Sequence, residues 1–212
     1  MAGLFTDSTG RGESPVSAGN PCPFLRALVA LGRLVETGEP VAKVARAVAE
    51  MARKGDGAPE LPLAAVYGIA AIASGLGPLE VARSVRRGLR LGELRGGPLD
   101  KRGVGSGILD QRGQFDAAQF ARLEEFATSK TAGDGTVELG LDARELTRFM
   151  DANFERAAGR RRRIDRRLMD GEWPVLLRVL GKEGQGGRYL SIAELRALFA
   201  EQRFPERMLA RL

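Results

Sequence analysis

The stretch Asn20-Pro-Cys-Pro-Phe-Leu-Arg-Ala-Leu holds the only cysteine of the 212-residue chain, Cys22, between Pro21 and Pro23. Each proline fixes its own φ and lacks an N–H donor. Leu25, Leu28, Val29 and Leu31 follow at helical spacing, so the thiol is predicted at a helix start. A thiol there faces unpaired backbone N–H groups and the positive end of the helix dipole, and both favour the thiolate. A stiffly held, electropositive thiolate suits a nucleophile or a metal ligand. The plainer reading is a small buried apolar residue, the usual fate of a free cysteine; the two flanking prolines argue against it here. The chain contains no histidine. That excludes a Ser-His-Asp triad and any His-ligated zinc or haem, and it denies a cysteine nucleophile its customary base. A thiolate bound axially to haem iron needs no base.

The second candidate is Glu172 in Gly-Glu-Trp-Pro-Val-Leu-Leu-Arg-Val-Leu-Gly, residues 171–181. Pro174 predicts the first turn of an apolar helix that stops at Gly181. A carboxylate at that start is a general acid–base candidate. Its helix position lowers its pKa and an apolar pocket raises it. The competing reading is an acidic residue that serves only the helix dipole.

Residues 21–38, Pro-Cys-Pro followed by Leu25, Leu28, Gly32, Leu34 and Gly38 in register, resemble the proximal segment of the haem-thiolate peroxidase family. That family comprises fungal chloroperoxidase and the unspecific peroxygenases. Residues 171–181 resemble the segment in which the family's catalytic glutamate opens an apolar helix ending in glycine. Residues 195–208, with Glu201 and Pro205, resemble its closing motif, and Phe115-Asp116 resembles the step after its distal loop. The likeness spans roughly residues 20–209. It implies a mostly helical fold binding haem b, with Cys22 as the axial iron ligand between Pro21 and Pro23. Glu172 would lie over the opposite face, moving protons as hydrogen peroxide oxidises or oxygenates a small organic substrate. The substrate pocket would be edged by residues 103–113 and the helix opening at Glu172.

One departure is plain. The family places an acidic motif, then a serine and an arginine, where this chain has residues 104–112, Val-Gly-Ser-Gly-Ile-Leu-Asp-Gln-Arg. Gly105, Ser106 and Gly107 stand in the acidic positions, so no divalent cation is expected at a haem propionate. Ser106 and Arg112 remain as haem-site candidates, with Arg102 or Arg112 meeting a propionate through a charge-assisted pair. Arg26 and Leu31 replace an asparagine and a histidine of the family's proximal helix. The departure leaves open a catalytically altered haem-binding sensor or carrier, or a haem-free helical interaction protein in which Cys22 is structural.

The elements that must hold these residues read as all-α: a single helical domain over residues 20–212, with about eight helices, after a flexible lead-in over residues 1–19. Helices are predicted after Cys22, from Pro40 through Ala52, and across residues 61–75, where apolar residues all round predict a buried central helix. Pro78 opens another, with Leu79, Ala82, Val85 and Leu89 opposite Arg83, Arg86, Arg87 and Arg90. Residues 92–114 form a loop with glycines at 92, 96, 97, 103, 105, 107 and 113, a length that in a compact domain is usually functional. Asp116 and Asp142 are predicted N-caps. The helix after Asp142 turns Leu146, Phe149, Met150 and Phe154 inward and continues through residues 160–169 until Gly171. Residues 181–187 read as a loop. Ser191 with Glu194 forms a predicted capping box, and Pro205 ends the chain's last long helix. No strand-like alternation and no internal repeat is found.

Composition sets the remaining bounds. Apolar residues make up 43% and charged residues 28%, as in ordinary globular proteins, and the net charge is +6. The first twenty residues hold no apolar signal core, and the most apolar run, residues 61–73, is too short to span a membrane. A cytoplasmic protein is expected, and the Arg-, Ala- and Gly-rich usage suits a high-GC bacterial genome. No nucleic-acid or membrane partner is expected: the arginine run over residues 160–167 comes without a stacking platform of aromatics. A calcium-loop reading of residues 130–141 fails because Lys130 and Leu141 would be ligands. Tyr67, Trp173 and Tyr189 read as core, although Trp173 beside Glu172 could also wall the pocket. No feature sets an oligomeric state.

Overall fold

A computed structural model describes residues 16–73, 75–100 and 105–212. The first fifteen residues of the expected lead-in, and Arg102, lie outside the described residues. The elements are α1 (Pro23–Ala30), α2 (Val41–Ala52), α3 (Leu63–Ile72), α4 (Pro78–Arg87), α5 (Ala117–Glu124), β1 (Thr128–Thr131), β2 (Val137–Leu141), α6 (Ala143–Arg156), α7 (Arg163–Leu180), β3 (Lys182–Gly184), β4 (Gly187–Ser191), α8 (Ile192–Ala200) and α9 (Glu206–Leu209).

The all-α expectation is overturned: the chain is mixed α/β. Four antiparallel strands form one sheet in the order β1-β2-β4-β3. Two hairpins build it, each set between two helices, as α5-β1-β2-α6 and α7-β3-β4-α8. They join through Gly140 opposite Ser191 and Leu141 opposite Leu190. The strands are three to five residues long, too short to develop a period-2 signal. In β2 the pattern is also inverted. Val137 and Leu139 are exposed, while Glu138 turns into the structure and accepts hydrogen bonds from Tyr189 Oη at 2.8 Å and Ser191 Oγ at 2.6 Å. Lys182 completes the set as an ion pair. Gly140 lets the Tyr189 ring lie against the strand, since a Cβ there would sit 2.4 Å from Tyr189 Cδ2.

The sheet redirects the helices around it. Asp116 caps α5 as expected, accepting from the N–H groups of Ala118 and Gln119 at 2.9 and 3.0 Å. The helix ends at Glu124, because residues 128–131 are taken by β1. Asp142 caps α6, and Glu145 closes a reciprocal box by accepting from the Asp142 N–H at 2.8 Å. Ser191 does not cap α8 through its side chain: its hydroxyl serves Glu138, and Glu194 pairs with Arg207 instead. The expected run-on from α6 through residues 160–169 is also corrected. α6 stops at Arg156, and α7 starts at Arg163, where the fully buried Asp165 carboxylate accepts from the Arg162 N–H at 2.7 Å. α7 then runs unbroken through Gly171 and Pro174 to Gly181. Pro174 forgoes its N–H bond to the Asp170 carbonyl, a cost offset by the core residues on either side, Trp173 and Leu176.

Trp173 is core. Its ring meets Phe149 edge-on at 5.4 Å and stacks on Phe199 at 6.4 Å. Phe24 of α1 meets Phe204 edge-on at 4.9 Å, tying the first helix to the chain after α8. α3 is not a buried central helix: only Ala70 and Ala71 are buried within it, and Leu63 and Ile69 are 48% and 58% exposed.

The Glu138 cluster yields a pH dependence. Burial alone would raise its pKa; the bonds from Lys182, Ser191 and Tyr189 outweigh burial and hold it below the usual carboxylate range. A depressed folded-state pKa gives stability that is complete above the unfolded value, about 4.3, and is lost as pH falls through the folded value. Urea unfolding should therefore show wild type losing stability below about pH 4. Glu138→Gln should be less stable by about 1–3 kcal/mol at pH 7 and should lose less than wild type on acidification.

Candidate functional site

Cys22 is the residue from which α1 departs, with extended backbone at φ −90° and ψ 113°. Backbone bonds on both sides hold it. Its N–H donates to Asn20 Oδ1 at 3.2 Å, and its carbonyl accepts the Arg26 N–H at 3.0 Å. The residue is half-buried. The first-turn proline and the helix start expected from Pro-Cys-Pro are both present.

Arg26, which the sequence offers only as a substitution, is the anchor of this region. It is 4% exposed. Nη1 donates to the carbonyls of Ser17 and Asn20 at 2.8 and 3.3 Å, and Nη2 donates to the Gly113 carbonyl at 3.0 Å. One guanidinium thus binds the segment before Cys22 to the end of the glycine-rich loop. Gly113 has φ +70°, and a Cβ there would lie 2.9 Å from Arg26 Nη1, so the approach requires glycine. Burial lowers the Arg26 pKa, Glu36 opposes that, and the Arg95 charge adds to it. Glu36 also accepts the Ser17 N–H at 3.0 Å, so residues 16–19 of the expected lead-in are tied to the body.

A cavity of about 1000 Å³ opens beside this anchor. Pro21 and Pro23 form part of its wall at the start of α1. Gly105, Ser106 and Gly107 line the loop side, with Arg122 from α5, Arg156 from α6, Glu172 from α7 and Phe199 from α8 on the remaining sides. The structure therefore brings Pro21, Pro23, Ser106 and Glu172 to one cavity; Cys22, between the two prolines in sequence, is not among the lining residues and packs against the apolar core. Arg112 is exposed and absent from the lining. Ser106 Oγ accepts the Ile108 N–H at 3.4 Å and shapes the loop. Trp173 is not in the lining but backs Phe199, which is.

Glu172 is half-buried in the interior of α7, not at a helix start. The helix dipole therefore does not favour its charge, because that effect is confined to the first turn. The sequence-based expectation fails because Gly171 and Pro174 read as an interruption, whereas packing of Met169, Trp173 and Leu176 carries the helix through them.

Sequence reasoning missed the basic lining. Arg95, Arg122, Arg156 and Arg160 all face the cavity. Arg95 is held by the carbonyls of Ala18 and Asp110 at 3.2 and 2.8 Å. Arg122 and Arg156 are single cations on two unremarkable helices, and no periodicity says that these faces share a space. In the run over residues 160–167, Arg161 pairs with Glu155, Arg162 with Asp165, and Arg166 with Asp151. A second cavity, about 670 Å³ between α1 and α2, is lined by Lys43, Arg46 and Glu50 and shares no residue with the first.

Among the described residues, no group of three or more His, Cys, Asp or Glu side chains is placed to hold an ion. No helix among the described residues is long and apolar enough to cross a membrane. No protein family, curated protein or solved structure matches the chain.

Replacing Arg26 by Met should remove donors from three carbonyls in a largely buried setting, each worth about 1–3 kcal/mol. Chemical denaturation of Arg26→Met should show a loss of about 3 kcal/mol, against less than about 0.5 kcal/mol for the exposed Arg112→Ala.

Proposed function

We propose that the protein is a haem-thiolate peroxidase or peroxygenase acting on a small organic substrate in the cytoplasm. The observation that supports it best is the meeting of the two resembling stretches. The prolines around Cys22 and the carboxylate of Glu172 come from opposite ends of the chain, and they line one cavity. Two features of the cavity suit haem, although Cys22 is not itself among its lining residues. The cavity is at the upper end of the range for small-molecule and cofactor sites, roughly 300–1000 Å³. Its wall carries several guanidinium groups suited to carboxylates.

Haem, when bound, supplies an iron at which peroxide can be taken up and its O–O bond broken. The protein's own contributions follow from its side chains. Cys22 would hold the iron through its sulfur, and the unpaired N–H groups of the first turn of α1 would temper the charge there. Pro21 and Pro23 restrict the backbone through which the thiol is presented. Glu172 accepts the proton of one peroxide oxygen and returns it to the other, so that the departing oxygen leaves as water. The loop around Ser106 and the ring of Phe199 give the substrate a partly apolar wall.

A second reading, a haem-binding sensor or carrier, is favoured by two facts. Gly105, Ser106 and Gly107 offer no carboxylate to support Glu172, and α7 gives Glu172 no terminal dipole. Absorbance spectroscopy and peroxide turnover separate the readings. The haem-supplemented protein, reduced under carbon monoxide, should show the red-shifted Soret band of thiolate ligation, and Cys22→Ala should lose it. Glu172→Gln should keep that band while turnover of a phenolic dye falls roughly 10²–10⁴-fold. Unchanged turnover would remove Glu172 from the mechanism. A wild type with the red-shifted band and no turnover would establish the carrier.

A further inference from the structure

The helices α3 and α4 pack against each other and leave an apolar face without a cover. From Leu61 to Leu79 the sequence carries no charged side chain. Such a stretch is normally enclosed in a globular domain, yet Leu63 and Ile69 are exposed, and Leu76 and Leu79 are 65% and 75% exposed. In α4 the expected packing is reversed. Its sequence groups Leu79, Ala82 and Val85 on one stripe and Arg83, Arg86 and Arg87 on the other, a pattern that ordinarily sends the apolar stripe to the core. Instead the one buried residue of α4 is Ser84, with Val81 half-buried, while Leu79, Ala82 and Val85 are exposed. The helix is rolled so that its apolar stripe meets solvent. Single exposed apolar residues need no explanation, whereas a contiguous set marks a surface that something covers.

Charge indicates what the cover is. Arg83, Arg86 and Arg87 are exposed along α4, and among the described residues none of them has a carboxylate within ion-pair distance. The nearby acids are placed otherwise. Glu80 folds back over the start of its own helix, where a Cβ at Gly77 would lie 2.1 Å from its Oε2. Glu93 pairs with Arg90 at 3.0 Å, and Glu60, exposed ahead of α3, pairs with none of the three. A second copy of the chain on this face would set arginine-bearing patches against each other, since a two-fold contact uses the same patch twice. Anionic headgroups above hydrocarbon satisfy the arginines and the apolar stripe together. We propose that the α3–α4 pair docks on an anionic lipid surface, with Leu76, Leu79 and Val85 entering the acyl boundary and Arg83, Arg86 and Arg87 meeting headgroup phosphates. Each helix has ten residues, about 15 Å, so the pair lies in the interface and does not span it. The lack of a membrane-length run excludes only spanning. The docking is independent of the haem reading, because none of these residues lines the cavity that holds Glu172.

The test is flotation of the full chain with vesicles of phosphatidylcholine alone and of equal parts phosphatidylcholine and phosphatidylglycerol. Wild type should partition onto the anionic vesicles roughly a hundredfold more strongly than onto the neutral ones, at about fivefold for each of three arginines, and added salt should weaken the preference. Leu79→Ser/Val85→Ser should lose at least about tenfold of the anionic partition with an unchanged melting temperature, because both side chains already face solvent. Arg83→Gln/Arg86→Gln/Arg87→Gln should bind both vesicles equally weakly. Failure of wild type to float with either vesicle overturns the proposal, as does equal partition onto both. Loss in the arginine variant with none in the serine variant denotes adsorption without insertion and overturns it too. Sedimentation equilibrium of the lipid-free protein supplies the remaining arm: self-association that Leu79→Ser/Val85→Ser abolishes assigns the face to a second copy and overturns lipid docking.

Discussion

The candidate site depends on one buried guanidinium. Arg26 reaches back to the carbonyls of Ser17 and Asn20 and across to that of Gly113. Through these bonds the chain before Cys22, the helix after it and the end of the glycine-rich loop become one unit. A lysine could not do this, because three carbonyls in different directions require the planar fork of arginine. The burial cost of the charge is met by these acceptors and by Glu36 nearby. Pro21 and Pro23 lie within the segment that this contact clamps.

The opposite wall is organised around a second polar centre. Glu138 draws Lys182, Ser191 and Tyr189 together across β2, β3 and β4. The two hairpins it joins lead into α6 and α8 and out of α5 and α7. Those four helices carry Arg122, Arg156, Glu172 and Phe199 to the cavity. The aromatic contacts of Trp173 with Phe149 and Phe199 fill the space behind that wall. The scaffold is thus two polar knots with an apolar layer between, and the cavity lies where their helices meet.

Much of the near wall was legible in the residues. Pro-Cys-Pro predicted the start of α1, and Asp116 and Asp142 predicted the caps of α5 and α6, because capping is local chemistry. The sheet was hidden because its strands are short, and because β2 buries a glutamate and exposes Val137 and Leu139, the reverse of the expected pattern. Continuity of α7 was hidden because Gly171 and Pro174 are breakers by propensity and tertiary packing overrides them. The basic lining was hidden for a different reason. Arg122 and Arg156 lie far apart in sequence, and which face of α5 meets which face of α6 is set by the sheet between them. The apolarity of residues 61–75 misled in the other direction, since hydrophobic composition does not state which neighbour will cover a helix.

The bond from Arg26 to Gly113 also sets an order of events in folding. It joins positions 87 residues apart, and Glu172 lies farther along the chain still. Contacts of such long sequence separation form late and slowly. Cys22 and its helix can therefore be in place well before their surroundings are, and the cavity is finished only when both distant segments have docked.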